Sequence, residues 1–395
     1  MPAQVFKSGL FTGVSTTDAF AASATSESPV IVDLGTIAWP ANLKPAAATL
    51  GGSYQPGVKI AQPLHADADV LVLLYTDQET SALLDVFTHN KSWTPTRKAT
   101  WYPYSYNFDA LSSSIEGERD TALKDGIFGY LSVMTIGTKR VVLYKSELHP
   151  KTNGTKLPFV SVVKQLVGDL APKWVISTGT AGAIGSTLRC GDVAITSSAR
   201  FHVQKHYAGF PDINTMSEGG TAFSNSVTIN SQYLTYAQTN FTKLSEPGLT
   251  QCYNKLANRD GYGFLKKNTN SPKIYVTTSS PVPGPQPMDI VSADYLTVAD
   301  DADVEGLQHS GVMNDTDDAF AFYAIDKLPA SKRPKWLSIR NASEPQIDGG
   351  TFPAGATQHQ KIEQIKGLAG AIYGVYQYCT TLNSALACWG VIAGM

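Results

Sequence analysis

The sequence predicts a three-layer α/β/α sandwich around a mixed central β-sheet. From about residue 66 onward, short continuous runs of Val, Leu and Ile alternate with segments of helical periodicity, the pattern of a sheet buried between two helical layers. Two apolar runs, 128–136 and 140–145, are separated only by Gly137-Thr138-Lys139. A connection this short joins antiparallel strands, so the sheet is mixed. The chain has 395 residues, 43% of them hydrophobic, which is enough for a large buried core.

The individual elements follow from the same patterns. The first strand is predicted at 68–75, a continuous Val/Leu run, and a helix follows it at 78–86. A helix over 159–170 places apolar side chains on one face and ends before Pro172. Further strands are predicted from 174 and at 192–196, 273–277 and 335–339, and further helices at 317–327 and 358–382.

The first part of the chain differs in composition from the rest. Residues 1–65 are rich in Ala, Pro, Ser, Thr and Gly and show no long period, which predicts an extended N-terminal arm. Residues 66–395 then form a single α/β domain, with insertions near 93–126 and 245–270. The first insertion is rich in aromatic residues, which either pack in the core or line a ligand site or a subunit contact. Because such arms often pack against a neighbouring subunit, we expect a homo-oligomer.

Charge and cysteine content exclude several classes of function. With 31 Lys+Arg against 33 Asp+Glu, the net charge is −2, which argues against disorder and against nucleic acid as a partner. Four widely spaced cysteines suggest neither a disulfide framework nor a zinc site. No apolar run approaches the roughly 20 residues of a membrane span, and the N-terminus lacks the apolar core of a signal peptide. We expect a cytoplasmic protein with a small ligand, no membrane partner and no cofactor.

A glycine-rich segment at 177–193 follows the strand predicted from 174. It reads Ser-Thr-Gly-Thr-Ala-Gly-Ala-Ile-Gly-Ser-Thr-Leu-Arg-Cys-Gly-Asp-Val, and such glycines let backbone amides approach an oxygen-rich ligand. A dinucleotide-binding motif needs GxGxxG followed by a helix, whereas this segment has GxxGxxG followed by a strand. No Gly-Lys-Ser/Thr closes it, as a P-loop requires.

This segment resembles the nucleoside phosphorylase and nucleosidase superfamily, which includes purine nucleoside phosphorylases and methylthioadenosine/S-adenosylhomocysteine nucleosidases. The resemblance extends back through 143–146 and Pro172, and forward through 199–202 to 339–344, which reads Ile-Arg-Asn-Ala-Ser-Glu. It covers about 70–377. It implies cleavage of an N-glycosidic bond through an oxocarbenium-like sugar, which needs an acid at the leaving base, polar groups at the ribose and a held nucleophile.

At the leaving base, the resemblance points to Glu344, beside Ser343, where the family usually carries Asp. A carboxyl group in an apolar site has a raised pKa and can donate a proton near neutral pH. The extra methylene of Glu changes the geometry, and a surface Glu in a loop is the alternative.

For the ribose, the family uses a carboxylate that opens a helix in a Met-Glu-x-x-Ala context. The matching segment here is Asn314-Asp315-Thr316-Asp317-Asp318-Ala319-Phe320-Ala321. The spacing of the alanines favours Asp318, with Asp317 as the neighbouring candidate. The alternative is that these acids are ordinary helix N-caps.

For the nucleophile, Glu79 matches the position where nucleosidases keep a Glu that activates water. Arg340 matches an Arg that assists it, and Thr180, with Ala181 and Gly182, matches the segment that contacts the same region. A Glu in the first turn of a helix is also favoured by the helix dipole, which is the alternative for Glu79.

Phosphorylases instead need cationic partners for a phosphate dianion. The positions where they carry these groups hold Ser177 and the acidic loop that ends in Glu79. Water is therefore the expected nucleophile. Phosphate stays an alternative, for which Arg200, Arg340 or a residue from a neighbouring subunit would have to supply the positive charge.

His202 and His206 stand four residues apart, but no carboxylate lies at a spacing that would complete a metal site. We expect His202 near the 5′ side of the sugar or packed in the structure. No GxSxG or Cys/His nucleophile pattern is present, so covalent catalysis is not expected.

The sequence therefore predicts a nucleosidase that acts on a purine nucleoside or a 5′-modified nucleoside. A phosphate-dependent nucleoside phosphorylase is the nearest alternative. A non-catalytic nucleoside-binding relative, with a storage or transport-linked role, is the alternative from another class.

Overall fold

The computed structural model describes residues 28–35, 37–88, 101–116, 121–151, 153–184, 188–217, 223–259, 262, 265, 272–276, 289–294, 312–345, 347 and 357–395. The strands are β1 Ala46–Ala48, β2 Val70–Leu74, β3 Tyr102–Tyr104, β4 Gly129–Ile136, β5 Lys139–Ser146, β6 Trp174–Ala183, β7 Val193–Thr196, β8 Ser198–His202, β9 Phe223–Ser224, β10 Ile274–Val276, β11 Ile290–Ala293, β12 Met313–Asp315 and β13 Lys335–Glu344. The helices are α1 Asp77–Thr88, α2 Phe108–Leu111, α3 Thr121–Asp125, α4 Pro158–Leu170, α5 Pro211–Ser217, α6 Gln232–Leu244, α7 Glu246–Leu256, α8 Asp318–Asp326 and α9 Gln358–Gly394.

These strands form one mixed sheet. Its main order is β1-β4-β5-β2-β6-β12-β11-β8-β9, and β13 lies along β6 while also pairing with β7. The strands β5, β2, β6 and β13 run parallel, whereas the β4/β5 hairpin and the β6/β12 and β13/β7 pairs are antiparallel. The predicted mixed sheet is therefore confirmed.

Helices cover both faces of this sheet. Alternate residues of β2 separate into two cores, with Val70, Val72 and Leu74 in one and Leu71 and Leu73 in the other. The first core lies under α1, α6, α7 and α9, and the second under α4 and α8. Side chains alternate across a strand, so a strand buried on both faces is apolar throughout. The three-layer architecture predicted from the sequence is confirmed.

A predicted strand and a predicted helix extend beyond their expected ends. β6 continues through the first part of the glycine-rich segment to Ala183, because β13 pairs with it from Lys335 opposite Trp174 to Glu344 opposite Gly182. The segment expected as a loop is therefore half strand. The last helix likewise continues past 382 to Gly394.

The described part of the arm and the first insertion both add to one edge of the sheet. β1 and β3 each pair with β4 in antiparallel register. Trp101, Tyr102 and Tyr104 are buried in the cores, so these aromatic residues of the insertion pack internally. Among the residues that the structure describes, no helix has the length and apolar character needed to cross a membrane.

Candidate active site

The site lies where β6 changes neighbours. β2 pairs with β6 as far as Ser177, and β12 pairs with it at Gly182 and Ala183. In between, residues 178–181 have β13 along one edge and no strand among the described residues along the other. Buried backbone groups need hydrogen-bond partners, and a change of strand neighbours in an open α/β sheet is where ligand sites form.

Side chains take the place of the missing strand at Thr180. Its N–H donates to Glu79 Oε1 at 2.7 Å, and its carbonyl accepts from Arg340 Nη1 at 3.0 Å. The Thr180 hydroxyl also donates to Glu79 Oε1, at 2.9 Å. Three distant parts of the sequence thus meet at one residue, as the resemblance implies.

Glu79 combines this contact with a capping box at the start of α1. Thr76 N–H donates to Glu79 Oε2 at 3.0 Å, and Glu79 N–H donates to Thr76 Oγ1 at 3.2 Å. Tyr75 N–H donates to the same Oε2 at 3.2 Å. One carboxylate oxygen therefore fixes the helix start while the other faces Thr180 and Arg340. The helix-start alternative is present in the structure and does not exclude a second role.

Arg340 and Asp318 form a buried bidentate ion pair. Arg340 Nε donates to Asp318 Oδ2 at 3.0 Å, and Nη2 donates to Oδ1. Hydroxyl groups of Ser177 and Ser338 donate to the same carboxylate, whose side chain is fully buried. Burial alone would raise the pKa of Asp318, but the Arg340 guanidinium outweighs it and holds the pKa below its ordinary value. Both oxygens of Asp318 are thus engaged within the protein.

Asp317 is placed differently from Asp318. It occupies the N-cap position of α8 without a capping hydrogen bond from its side chain, and Asp315 Oδ2 instead accepts from Asp318 N–H at 3.0 Å. The Asp317 carboxylate faces His149, with 3.3 Å between Oδ1 and Nε2. Burial raises the pKa of Asp317 well above its ordinary value. The choice between Asp317 and Asp318 as a sugar ligand stays a prediction. Asp317 is favoured because its Oδ1 accepts no hydrogen bond among the described contacts, whereas both oxygens of Asp318 do.

Asp315 is a site residue that the sequence reasoning missed. Its Oδ2 lies 3.1 Å from Arg340 Nη2, and its Oδ1 accepts from the Ser292 hydroxyl. Burial raises its pKa well above the ordinary value, and the nearby Asp318 adds to that effect. Its contact with the helix start could have been inferred from the sequence, because an Asp three residues before the first helical N–H has the spacing of a capping residue.

Glu344 lies on β13, opposite Gly182, where the open stretch of β6 ends. It is nearly buried, and burial raises its pKa to about 7. The Ser343 hydroxyl donates to Glu344 Oε2 and lies 3.3 Å from the Ala181 carbonyl oxygen. A carboxyl group with this pKa is partly protonated at neutral pH.

The glycines of β6 provide room for side chains of the protein itself. A Cβ on Gly179 would lie 2.2 Å from Glu79 Oε1, and a Cβ on Gly182 would lie 2.3 Å from Asn314 Oδ1. The sequence reasoning assigned these glycines to a ligand's close approach. In the structure the approaching oxygens belong to Glu79 and Asn314.

His202 lies at the end of β8, beside Ala293 of β11, two strands away from β12. Burial lowers its pKa, and the nearby charge that opposes this is Asp294. The contacts that join Glu79, Arg340 and Asp318 do not include it. The described residues contain no group of His, Cys, Asp and Glu side chains suited to a metal ion.

Comparison with known proteins finds neither a matching family model nor a matching curated protein. Similar solved structures include 5′-methylthioadenosine/S-adenosylhomocysteine nucleosidase from Neisseria meningitidis in complex with methylthio-immucillin-A, at 13% identity and a TM-score of 0.42, over 83% of this chain and 100% of that chain. The Helicobacter pylori enzyme of the same name, with butyl-thio-DADMe-Immucillin-A, gives 12% identity and a TM-score of 0.43, over 83% and 99%.

Futalosine hydrolase of Helicobacter pylori gives 11% identity and a TM-score of 0.42, over 82% of this chain and 97% of that chain. These proteins are members of the superfamily that the sequence motifs resemble. Identities and TM-scores this low leave the function to be argued from the site of this chain.

Proposed function

We propose that the protein is a nucleosidase that hydrolyses the N-glycosidic bond of a purine nucleoside or a 5′-modified nucleoside. The observation that supports this most is the meeting of Glu79, Thr180 and Arg340 at the open edge of β6. A carboxylate beside a hydroxyl and a guanidinium is a suitable arrangement for orienting and deprotonating a water molecule.

The second carboxyl group is suited to the leaving base. The strand positions that Glu79 and Glu344 approach, Gly179 and Gly182, are three residues apart on β6, about 10 Å along an extended strand. The proposal places the ribosyl group between a water at the first position and a proton donor at the second. With its pKa near 7, Glu344 can give that proton at neutral pH.

The sugar hydroxyls are assigned to Asp317. Its carboxylate lies at the N-cap position of α8, whereas the oxygens of Asp318 accept hydrogen bonds from Arg340, Ser177 and Ser338. Asp318 then serves to hold Arg340 in place, which changes the role expected for it from the alanine spacing.

The charges favour water over phosphate. Arg340 is bound by Asp318 and Asp315, and Arg200, the other cation that the sequence offered, is paired with Asp289 at 2.9 Å. A phosphate dianion would enter a site where Glu79 and three Asp side chains surround one guanidinium, and like charges disfavour it.

The test is incubation of the protein with a panel of purine nucleosides and 5′-thio-substituted nucleosides, with and without phosphate. We expect free base and free ribose in both conditions. Strict dependence on phosphate with ribose 1-phosphate as product would establish the phosphorylase, and binding without base release would establish the non-catalytic relative.

A further inference from the structure

Asp317 and His149 form a buried pair. The proposed function assigns a role to Asp317 but none to His149. His149 follows β5 and Asp317 precedes α8, so the fold brings two distant segments together. Nε2 of His149 lies 3.3 Å from Oδ1 of Asp317. The Thr316 hydroxyl lies 3.2 Å from the same Nε2 and 3.3 Å from Oδ2 of Asp317. Both partners are less than a tenth exposed.

The main chain of His149 is hydrogen-bonded to Asn153. The backbone N–H of His149 donates to the Asn153 side-chain oxygen, and the backbone N–H of Asn153 donates to the His149 carbonyl at 3.0 Å. The Tyr75 ring meets the imidazole edge to face, with 6.4 Å between ring centres. The main chain of His149 is therefore held in place, and its imidazole faces a carboxylate that makes no cap bond to α8.

The other charged groups around Asp317 do not fix its orientation. Arg340, Asp318 and Glu79 act on its charge, but Arg340 directs its N–H groups to Asp318, Glu79, Ser177 and the Thr180 carbonyl. Among the described contacts, the Thr316 hydroxyl donates to Oδ2 of Asp317 and the imidazole lies 3.3 Å from Oδ1, so these two groups adjoin the Asp317 carboxylate.

We propose that His149 is a positioning residue for Asp317, and that the pair makes the site select ribonucleosides over 2′-deoxyribonucleosides. The inference rests on the proposed function, which assigns Asp317 to the sugar. A carboxylate accepts two hydrogen bonds from a vicinal diol only when its plane is aligned with both hydroxyls. Loss of the 2′-hydroxyl leaves a buried oxygen unpaired, and a site built for a hydroxyl rejects an analogue that lacks it.

The experiment compares adenosine with 2′-deoxyadenosine in the wild type, His149→Phe and His149→Gln. Both kcat/KM and the dissociation constant from calorimetry are measured. We expect the wild type to prefer adenosine by on the order of 10–10²-fold, since hydrogen bonds to charged groups contribute about this factor. His149→Phe should lower kcat/KM for adenosine about 10-fold more than for 2′-deoxyadenosine. His149→Gln should retain most of the preference, because its amide N–H can replace Nε2–H.

Thr316→Val provides a second approach if His149→Phe does not fold, because it removes the bridging hydroxyl without a change of shape. It should reduce the preference in the same direction and by less. Base release with an unchanged ratio in His149→Phe and Thr316→Val would overturn the role of His149 and leave the nucleosidase intact. If the protein binds both nucleosides but cleaves neither, the ratio of the dissociation constants for adenosine and 2′-deoxyadenosine, compared between wild type and variants, tests the role of His149 in place of kcat/KM. Absence of both binding and cleavage would overturn both proposals.

Discussion

Glu79 and Glu344 approach the same strand, β6, at positions three residues apart and in contrasting surroundings. Glu79 accepts from three backbone N–H groups and the Thr180 hydroxyl, and Arg340 lies 3.5 Å away. Glu344 has the Ser343 hydroxyl as its described donor, and burial raises its pKa to about 7. The proposed function gives these two identical side chains different roles, because their surroundings differ.

The largest effect is expected from Glu79→Gln. The amide cannot deprotonate water, so turnover should fall by about 10²–10⁴-fold. Gln still completes a capping box with Thr76, so the melting temperature should change little. Steady-state kinetics and thermal unfolding measure the two quantities. Unaltered turnover would reduce Glu79 to the cap of α1.

A companion variant displaces Glu79 without altering it. Gly179→Ala places a Cβ 2.2 Å from Glu79 Oε1, and the positive φ of 152° at Gly179 adds strain. We expect this variant to lose turnover, as Glu79→Gln does. Gly168→Ala is the matched control, because its Cβ would meet nothing within 4 Å.

Asp318→Asn should have the largest effect on stability. It leaves the buried Arg340 guanidinium without its bidentate carboxylate, which costs about 3–5 kcal/mol in the free energy of unfolding. Asp317→Asn, next to it, should cost far less stability and should weaken nucleoside binding instead. Urea unfolding and calorimetry separate the two. If Asp318 were only an N-cap, Asn would replace it with little loss.

Glu344→Gln tests the other end of the comparison. The wild type needs this group protonated, so activity should decline as pH rises through about 7. In the variant that decline should disappear, and natural nucleosides should be slowed by about 10²-fold or more. Activated nitrophenyl ribosides need no acid and should be slowed less. Equal slowing of both substrate types would exclude the leaving-group role.

The smallest effect is expected from Ser343→Ala. The Ser343 hydroxyl lowers the pKa of Glu344 by donating to it, so its removal should move the alkaline decline to higher pH. A neutral hydrogen bond contributes about 1 kcal/mol, so the shift should stay below about one pH unit. A pH–rate profile of both proteins measures it, and a shift to lower pH would contradict this account.

Strong local patterns made much of the fold predictable. The β4/β5 hairpin, α1, α4 and β2 agree with expectation because each carries its own apolar period or turn. The short strands β8, β11 and β12 were not predicted. A strand such as Met-Asn-Asp is stabilised by its neighbours in the sheet and leaves no pattern of its own.

The candidate site could likewise be predicted only in part. The resemblance supplied Glu79, Thr180 and Arg340, and the Thr76-x-x-Glu79 capping box was legible in the chain. The ion pair of Asp318 with Arg340 and the contact of Asp317 with His149 could not be predicted from the sequence, because they depend on which strands become neighbours.

The interruption along β6 also has a mechanical consequence. Along one edge of β6, β2 pairs as far as Ser177 and β12 pairs at Gly182 and Ala183, while β13 pairs with the other edge throughout. The side chains of Glu79 and Arg340 thus fill the interval between β2 and β12 in place of a backbone ladder. The Thr180 amide can exchange its proton with solvent only when Glu79 withdraws. Hydrogen–deuterium exchange at this single amide therefore reports how often Glu79 leaves the edge of β6, and a bound ligand that holds Glu79 in place would slow it.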